Sequence, residues 1–254
     1  MDRPTQITVR DLELRYGSYL VMRDIGFAVR RGDVFAIMGG SGSGKSTLLR
    51  ALSGLLEPAN GEVLYDGRSF TRADLAGRQE LSRRFGVLFQ FGALWTDLTL
   101  VENVALPMEE LTNLKPREIR DLAELKLALV GLASFRDFYP DQVSGGMQKR
   151  AGLARAMALD PEILFFDEPS SGLDPVSARR LDDLILELRD SLGTTVVMVS
   201  HDLASIFAIA NDSIYLDAEL KTITARGNPK QMLASPPNAH VHAFLTRTAI
   251  QEVP

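Results

Sequence analysis

Glycines, a lysine and hydroxyls at Gly39-Gly40-Ser41-Gly42-Ser43-Gly44-Lys45-Ser46-Thr47 have the types and spacing to hold a chain of phosphates. They fit G-x-x-x-x-G-K-[ST]. The glycines let successive backbone N–H groups turn inward, and a following helix adds its positive end. In that setting Lys45 reaches the terminal phosphates and the Ser46 hydroxyl ligates Mg²⁺. The flanks suit the chemistry: Asp33 to Met38 is a short apolar strand, and Ser46 to Leu52 are helix formers with leucines at helical spacing. A flexible Gly/Ser turn is the bland alternative, and the flanks argue against it. The stretch predicts a nucleoside triphosphate site.

A second chemical pair follows. Glu162-Ile163-Leu164-Phe165-Phe166-Asp167-Glu168 reads as a central strand that delivers two carboxylates at its C-terminal end. Ligands of open parallel sheets sit at that end. Asp167 can then reach Mg²⁺, directly or through water, and Glu168 can hold an attacking water. Thr194 to Ser200 is another buried strand, ending at His201, which is thereby a candidate for contacting the γ-phosphate. Ser144-Gly145-Gly146 precede a helix through Met147 to Leu159, with Ser144 as cap and the first N–H groups left open. This is either an ordinary capped helix or an anion-ready start serving a triphosphate bound to another chain. Tyr16 is either a strand-end tyrosine or a ring against which adenine stacks.

The remaining elements must position these groups. Residues 6–16, 20–30 and 61–67 read as strands of a small antiparallel layer, and Phe85 to Phe89 as a buried strand ending at Gln90. From about 91 to 159 the pattern is helical. Pro116 opens a helix with Ile119, Leu122, Leu125 and Leu129 on one face, stopped near Gly131. Asp174 caps and Pro175 opens another helix, with Leu181, Leu184, Ile185 and Leu188 as its core stripe and Gly193 at its end. Strands alternating with helices from residue 33 onward indicate a mostly parallel α/β sheet.

Bulk composition allows this. The 254 residues are 45% apolar and 24% charged, enough to fill a core. A net charge of −5 argues against a nucleic-acid binder that neutralises phosphates. The Arg pairs at 30–31, 83–84 and 179–180 read as solvated faces, and His240 and His242 as solvated members of a polar C-terminal tail. There are no cysteines, so disulfides, Fe–S ligation and thiol catalysis are excluded. The first residues lack a signal peptide's apolar core, and no apolar run approaches the ~18–20 residues of a membrane helix. Any membrane connection is expected to run through a partner.

Taken together, these motifs resemble the ATP-binding subunit of an ABC transporter over essentially the whole chain. Gly39 to Ser46 look like its Walker A loop, Gln90 like the Q-loop glutamine and Ser144-Gly145-Gly146 like the signature motif. Asp167-Glu168 match the Walker B pair, Ser171 to Asp174 the D-loop and His201 the switch histidine. Tyr16 falls where that family has its adenine-stacking aromatic. The signature departs from the family at large in having Met147 where glutamine is usual, so contact there must rest on Ser144 and backbone N–H groups. Ser-Gly-Gly-Met and the run from Leu88 to Asp97 are similar to Mla-type ATPases that energise phospholipid trafficking with MCE-domain partners. The D-loop, Ser-Gly-Leu-Asp, follows ABC proteins generally rather than the Gly-Gln-Asp of many Mla ATPases.

The resemblance implies one P-loop NTPase domain over residues 1–254. It has a RecA-like core at about 1–90 and 160–235, a helical subdomain at about 91–159 and a tail from about 236. It implies ATP and Mg²⁺, the metal held by Ser46, Gln90 and Asp167, and two copies packed head to tail. Each ATP is pinched between Walker A of one copy and the signature helix of the other. It also implies a permease partner at the inner face of the cytoplasmic membrane and ATP hydrolysis as the source of transport energy. Phe91, Leu94 and Trp95, directly after Gln90, either line a groove for a permease helix or pack against the helical insertion.

Overall fold

Twelve residues at each end of a turn, Thr5–Tyr16 (β1) and Tyr19–Arg30 (β2), pair antiparallel, and alternate side chains such as Ile7, Val9, Ile25 and Val29 are buried. The computed structural model describes residues 3–90 and 92–248. The chain then enters the fully buried strand Val34–Gly39 (β3), the phosphate-type loop and helix Lys45–Leu52 (α1). Asn60–Tyr65 (β4) and Arg68–Ser69 (β5) complete an antiparallel layer in the order β2-β1-β4-β5. Leu75–Ser82 (α2), capped by Asp74, leads to Phe85–Leu88 (β6).

The inserted helices are Leu100–Leu111 (α3), Pro116–Leu129 (α4) and Gly145–Ala156 (α5). Ile163–Asp167 (β7), Pro175–Leu192 (α6), Thr195–Val199 (β8) and Leu203–Ile209 (α7) follow. Asp212–Asp217 (β9), Thr222–Arg226 (β10), Pro229–Ala234 (α8) and Ala239–Thr246 (α9) end the described chain. The main sheet runs β10-β9-β3-β8-β7-β6, parallel except for β10.

Its inner strands are apolar on both sides because both sides are covered. Val34, Ala36 and Met38 of β3, with Leu164 and Phe166 of β7, face α3 to α7. Phe35, Ile37 and Phe165 face α1 and the antiparallel layer. The expected α/β core, antiparallel layer and helical insertion are all present.

Three expectations need correction. In α4 the buried residues are Ile119, Ala123, Lys126 and Leu127, whereas Leu125 and Leu129 are exposed. The helix is gripped on two sides, by α3 and α5, and Lys126 enters the interior by pairing with Asp160. The C-terminal region is not a polar tail. Val241 and Leu245 of α9 join the core, and His240 Nδ1 lies 3.6 Å from Asp217 Oδ2. Nor are Arg31 and Arg84 merely solvated. Both donate to Glu162 at 2.8 Å and both reach Asp66, fastening the antiparallel layer to the foot of β7. The Arg84 and Arg31 hydrogen bonds hold the Glu162 carboxyl down at about 2. Apart from these, α3 carries Pro107 inside it, after a Thr99–Glu102 capping box whose Glu102 accepts from Thr99 N at 2.7 Å.

Candidate functional site

The phosphate-type loop, the two carboxylates and His201 all follow the C-terminal ends of the adjacent strands β3, β7 and β8. A cavity of about 750 Å³ is lined by residues 39–42 and 44–47 of the loop together with Gln90, Glu168 and His201. Tyr16, Tyr19, Val21 and Phe244 line the rest of it.

Backbone geometry explains the glycines at both ends of the loop. Gly39 has φ +151° and Gly44 φ +88°, and a Cβ on Gly44 would run into Val21 and Met22. Ser43, buried, donates its hydroxyl to Gly40 O at 2.9 Å and closes the loop on itself. Gly44 ends as the N-cap of α1, so the helix begins at Lys45 with its first N–H groups toward the cavity. Lys45 Nζ donates to the carbonyls of Gly39 (3.0 Å) and Gly40 (2.8 Å). Burial lowers the Lys45 pKa from the usual lysine value, while Glu168 and Asp167 act to raise it. The ammonium is thus held above the loop by weak, exchangeable acceptors rather than by a salt bridge.

Ser46 Oγ donates to Asp167 Oδ1 at 2.8 Å, which joins the loop to the end of β7. Glu168 is almost wholly buried and adopts φ +53°, a backbone region that non-glycine residues rarely occupy. Its N–H donates to Val199 O at 2.9 Å, and its Oε2 lies 2.8 Å from His201 Nδ1 and 3.4 Å from His201 N. One carboxylate therefore faces the loop hydroxyl. The next meets the exposed histidine directly, and both line the cavity.

Ser144, Gly145, Gly146 and Met147 do not line this cavity. Ser144 caps α5 through a 3.3 Å bond from Met147 N, and the first two helix residues are glycines, with nothing near a Cβ on Gly145. That helix start is presented outward. Asp174 caps α6 by accepting from Val176 N and Ser177 N, both at 3.0 Å, and bonding to Ser177 Oγ lowers its pKa.

Of the loop expected to meet a partner, Phe91 lies outside the described residues. Leu94 packs against the core instead of a groove, because the turn is pulled inward: Arg155 donates to Gly92 O and Ala93 O, each at 2.7 Å. Trp95 is 62% exposed and, with Phe89, Leu106, Pro107 and Leu111, lines a cavity of about 380 Å³.

Sequence reasoning missed Tyr19 and Phe244, which line the same cavity. Tyr19 pairs with Tyr16 across the β1–β2 turn, and Lys221 Nζ sits 4.7 Å over its ring. The alternation of the hairpin could have flagged Tyr19. Nothing local marks Phe244, which α9 brings from the other end of the chain.

Also missed was Asp182 on α6, buried beside α7. It accepts from Ser205 Oγ at 2.9 Å, and Ser205 is shared with Asp202 at 3.3 Å. Burial raises the Asp182 pKa to about 6 from 3.8, more than the Ser205 hydrogen bond lowers it. The fold therefore favours the protonated form. That contribution is complete below about pH 4 and is lost as pH rises through about 6. Asp182→Asn is expected to melt like the parent at pH 4 and to be more stable by about 2 kcal/mol at pH 8. Thermal unfolding at the two pH values reads this directly, and an equal difference at both would exclude it.

A mononucleotide cradle with a carboxylate pair and a histidine, on a mostly parallel sheet with a helical insertion, defines an ATP-hydrolysing cassette. The ABC transporter family pattern matches residues 22–171, and the chain belongs to that family. It is 42% identical to the intermembrane phospholipid transport system ATP-binding protein MlaF of Haemophilus influenzae, over 90% of this chain and 86% of that one. Against the protein of the same name from Escherichia coli K12 it is 40% identical, over 98% of this chain and 91% of that one. A solved dimeric cassette, MJ0796 in a post-hydrolysis state with ADP and phosphate, superposes with a TM-score of 0.79 at 29% identity, covering 87% of this chain and 98% of that one.

Proposed function

We propose that this ATPase drives phospholipid movement by a membrane permease, acting as one of two copies paired head to tail. The observation that carries the cargo is the 40% identity along nearly the whole chain to a phospholipid-transport ATP-binding protein. Among the described residues no helix is long and apolar enough to cross a membrane, so in this reading the permease supplies the membrane path. The permease places the cassette on the inner face of the cytoplasmic membrane, with an MCE-domain protein as a further member of the complex.

Ser46, Asp167 and the Gln90 side chain form a hard-oxygen set, and the 2.8 Å Ser46–Asp167 contact shows that two of them already converge. Such a set suits Mg²⁺ held jointly with substrate phosphates. Bound there, Mg²⁺ would offset charge on the β- and γ-phosphates. Lys45 exchanges its two carbonyl partners for phosphate oxygens, and the α1 start adds its positive end. Glu168 orients a water and accepts its proton, while His201, 2.8 Å away, steadies the carboxylate and turns toward the γ-phosphate. The outward-facing glycines of α5 from the second copy then close over the same phosphates.

The groove at Trp95 is the proposed outlet for this work. Asn103, fully buried, accepts from Trp95 N at 2.7 Å and donates to the carbonyls of Trp95, Leu98 and Thr99 at 3.0 Å. Trp95 is thus displayed from a rigid turn five residues beyond Gln90, which suits a permease helix better than a purely internal role. Trp95→Ala should weaken co-purification with the permease by roughly 30-fold or more in affinity, as for an aromatic interface anchor, while the isolated chain still hydrolyses ATP. Unchanged co-purification and unchanged stimulation would exclude the groove. For the cargo, permease and ATPase reconstituted in vesicles should move labelled phospholipid only with ATP. Transfer of an amino acid or lipoprotein instead would replace the lipid reading.

A further inference from the structure

Lys149 sits one turn into α5 and is buried, with 5% of its surface exposed. Among the described residues no carboxylate forms an ion pair with it. Its ammonium instead donates to three backbone carbonyls: Pro169 at 2.9 Å, Glu168 at 3.3 Å, and Ser171. All three belong to the loop between β7 and α6, which begins with Glu168 and ends at Asp174. A buried cation is costly to hold without a carboxylate, and burial lowers the Lys149 pKa while Glu168 acts to raise it. Three carbonyls converging on one ammonium need a donor with several protons, which no apolar residue supplies.

The conformation they hold is the unusual one. Glu168 stands at φ +53°, and residues in such regions persist only where surrounding contacts over-determine them. Of the three carbonyls, Glu168 O also accepts within the loop, from Ser171 N at 3.2 Å, and its remaining lone pair goes to Lys149. The same helix carries Ser144 at its start and, about three turns on, Arg155 bonded to the carbonyls of Gly92 and Ala93.

We propose that Lys149 is a positioning residue for ATP hydrolysis, setting the backbone from which Glu168 works and locking it to the helix whose start serves the partner's nucleotide. Movement of α5 when it meets the partner's triphosphate is thereby transmitted to the Glu168 loop of its own chain. The cross-site half of this rests on the head-to-tail reading above; the effect on Glu168 does not.

The test uses the full-length chain with Lys149→Met, which keeps length and removes the donor, and Lys149→Arg, which restores a multi-proton cation. Steady-state ATPase and equilibrium binding of a fluorescent ATP analogue are measured on each. Displacement of a reacting group by about an ångström costs up to ~10²-fold, so kcat of Lys149→Met should fall roughly 10- to 100-fold. KM and analogue affinity should stay within about threefold, which also shows that the variant is folded. Lys149→Arg should recover most of kcat, and the Hill coefficient for ATP should drop toward one only in the methionine variant. A Lys149→Met chain with the parental kcat, or one whose kcat loss is matched by lost analogue binding and not rescued by arginine, overturns the proposal. Failure of a Glu168→Gln chain to dimerise in ATP would remove the cross-site half alone, since the kcat comparison stands without it.

Discussion

Glu168→Gln should bind ATP as the parent does and hydrolyse it ~10²–10⁴-fold more slowly, the span associated with losing a general base. The amide keeps the size of the carboxylate, so the site is not emptied and the left-handed backbone at residue 168 is not disturbed. What it loses is the oxygen that lies 2.8 Å from His201 Nδ1 and would take the water's proton. Lys45, Ser46 and the helix start are untouched, which is why binding should survive. With hydrolysis blocked, the ATP-bound pair of chains should accumulate and appear as a dimer in light scattering that the parent forms only briefly. Ordinary turnover in this variant would remove Glu168 from the role and leave His201 to be examined as the group that meets the water.

How much of this could be read before folding depends on how far apart the interacting residues are in the chain. The phosphate loop was legible because its chemistry is contiguous: strand, glycines, lysine and helix lie within about twenty residues. Asp167, Glu168 and His201 were legible because parallel strands place their C-terminal ends together, whatever the strand order. Asp174 and Pro175 were legible as a local cap. Long-range contacts were not. Arg31 and Arg84 looked solvated because their shared partner, Glu162, is 131 and 78 residues away. Hydropathy favoured Leu125 and Leu129 over Lys126 in α4, yet the packing of α4 against two helices and the charge of Asp160 put the lysine inside. Lys149 looked like one of several basic residues on a helix. Only the return of the chain at 168–171 turns it into a ligand for carbonyls. Phe244 reaches the nucleotide cavity by a docking of α9 that no local pattern encodes.

Pairing of two chains and action by one chain leave different amounts of bound ATP. Within one chain the cavity around Lys45 receives nothing from Ser144, whose helix start faces outward. Under head-to-tail pairing each nucleotide meets Lys45 of one copy and Ser144 of the other, so the two positions are complementary between chains. Lys45→Ala removes a phosphate cation, and Ser144→Arg fills the space above the Gly145-Gly146 helix start. Each should strip its site of retained ATP, the first by removing a phosphate-binding cation and the second by blocking the helix start that faces the phosphates. In a mixed dimer with Lys45→Ala on one chain and Ser144→Arg on the other, both lesions fall on the same composite site, and the second site is intact. With both substitutions on one chain and a parental partner, each site carries one lesion. Made in the Glu168→Gln background, the first arrangement should retain about one ATP per dimer after desalting and the second almost none. A chain that works alone predicts no difference: Ser144 does not reach the cavity of its own chain, so in both arrangements only the Lys45→Ala chain loses its nucleotide and about one ATP per dimer is retained. The comparison therefore turns on which chain carries the lesions rather than on how severe each one is, and an imperfect choice of substitution weakens the signal without changing its sign.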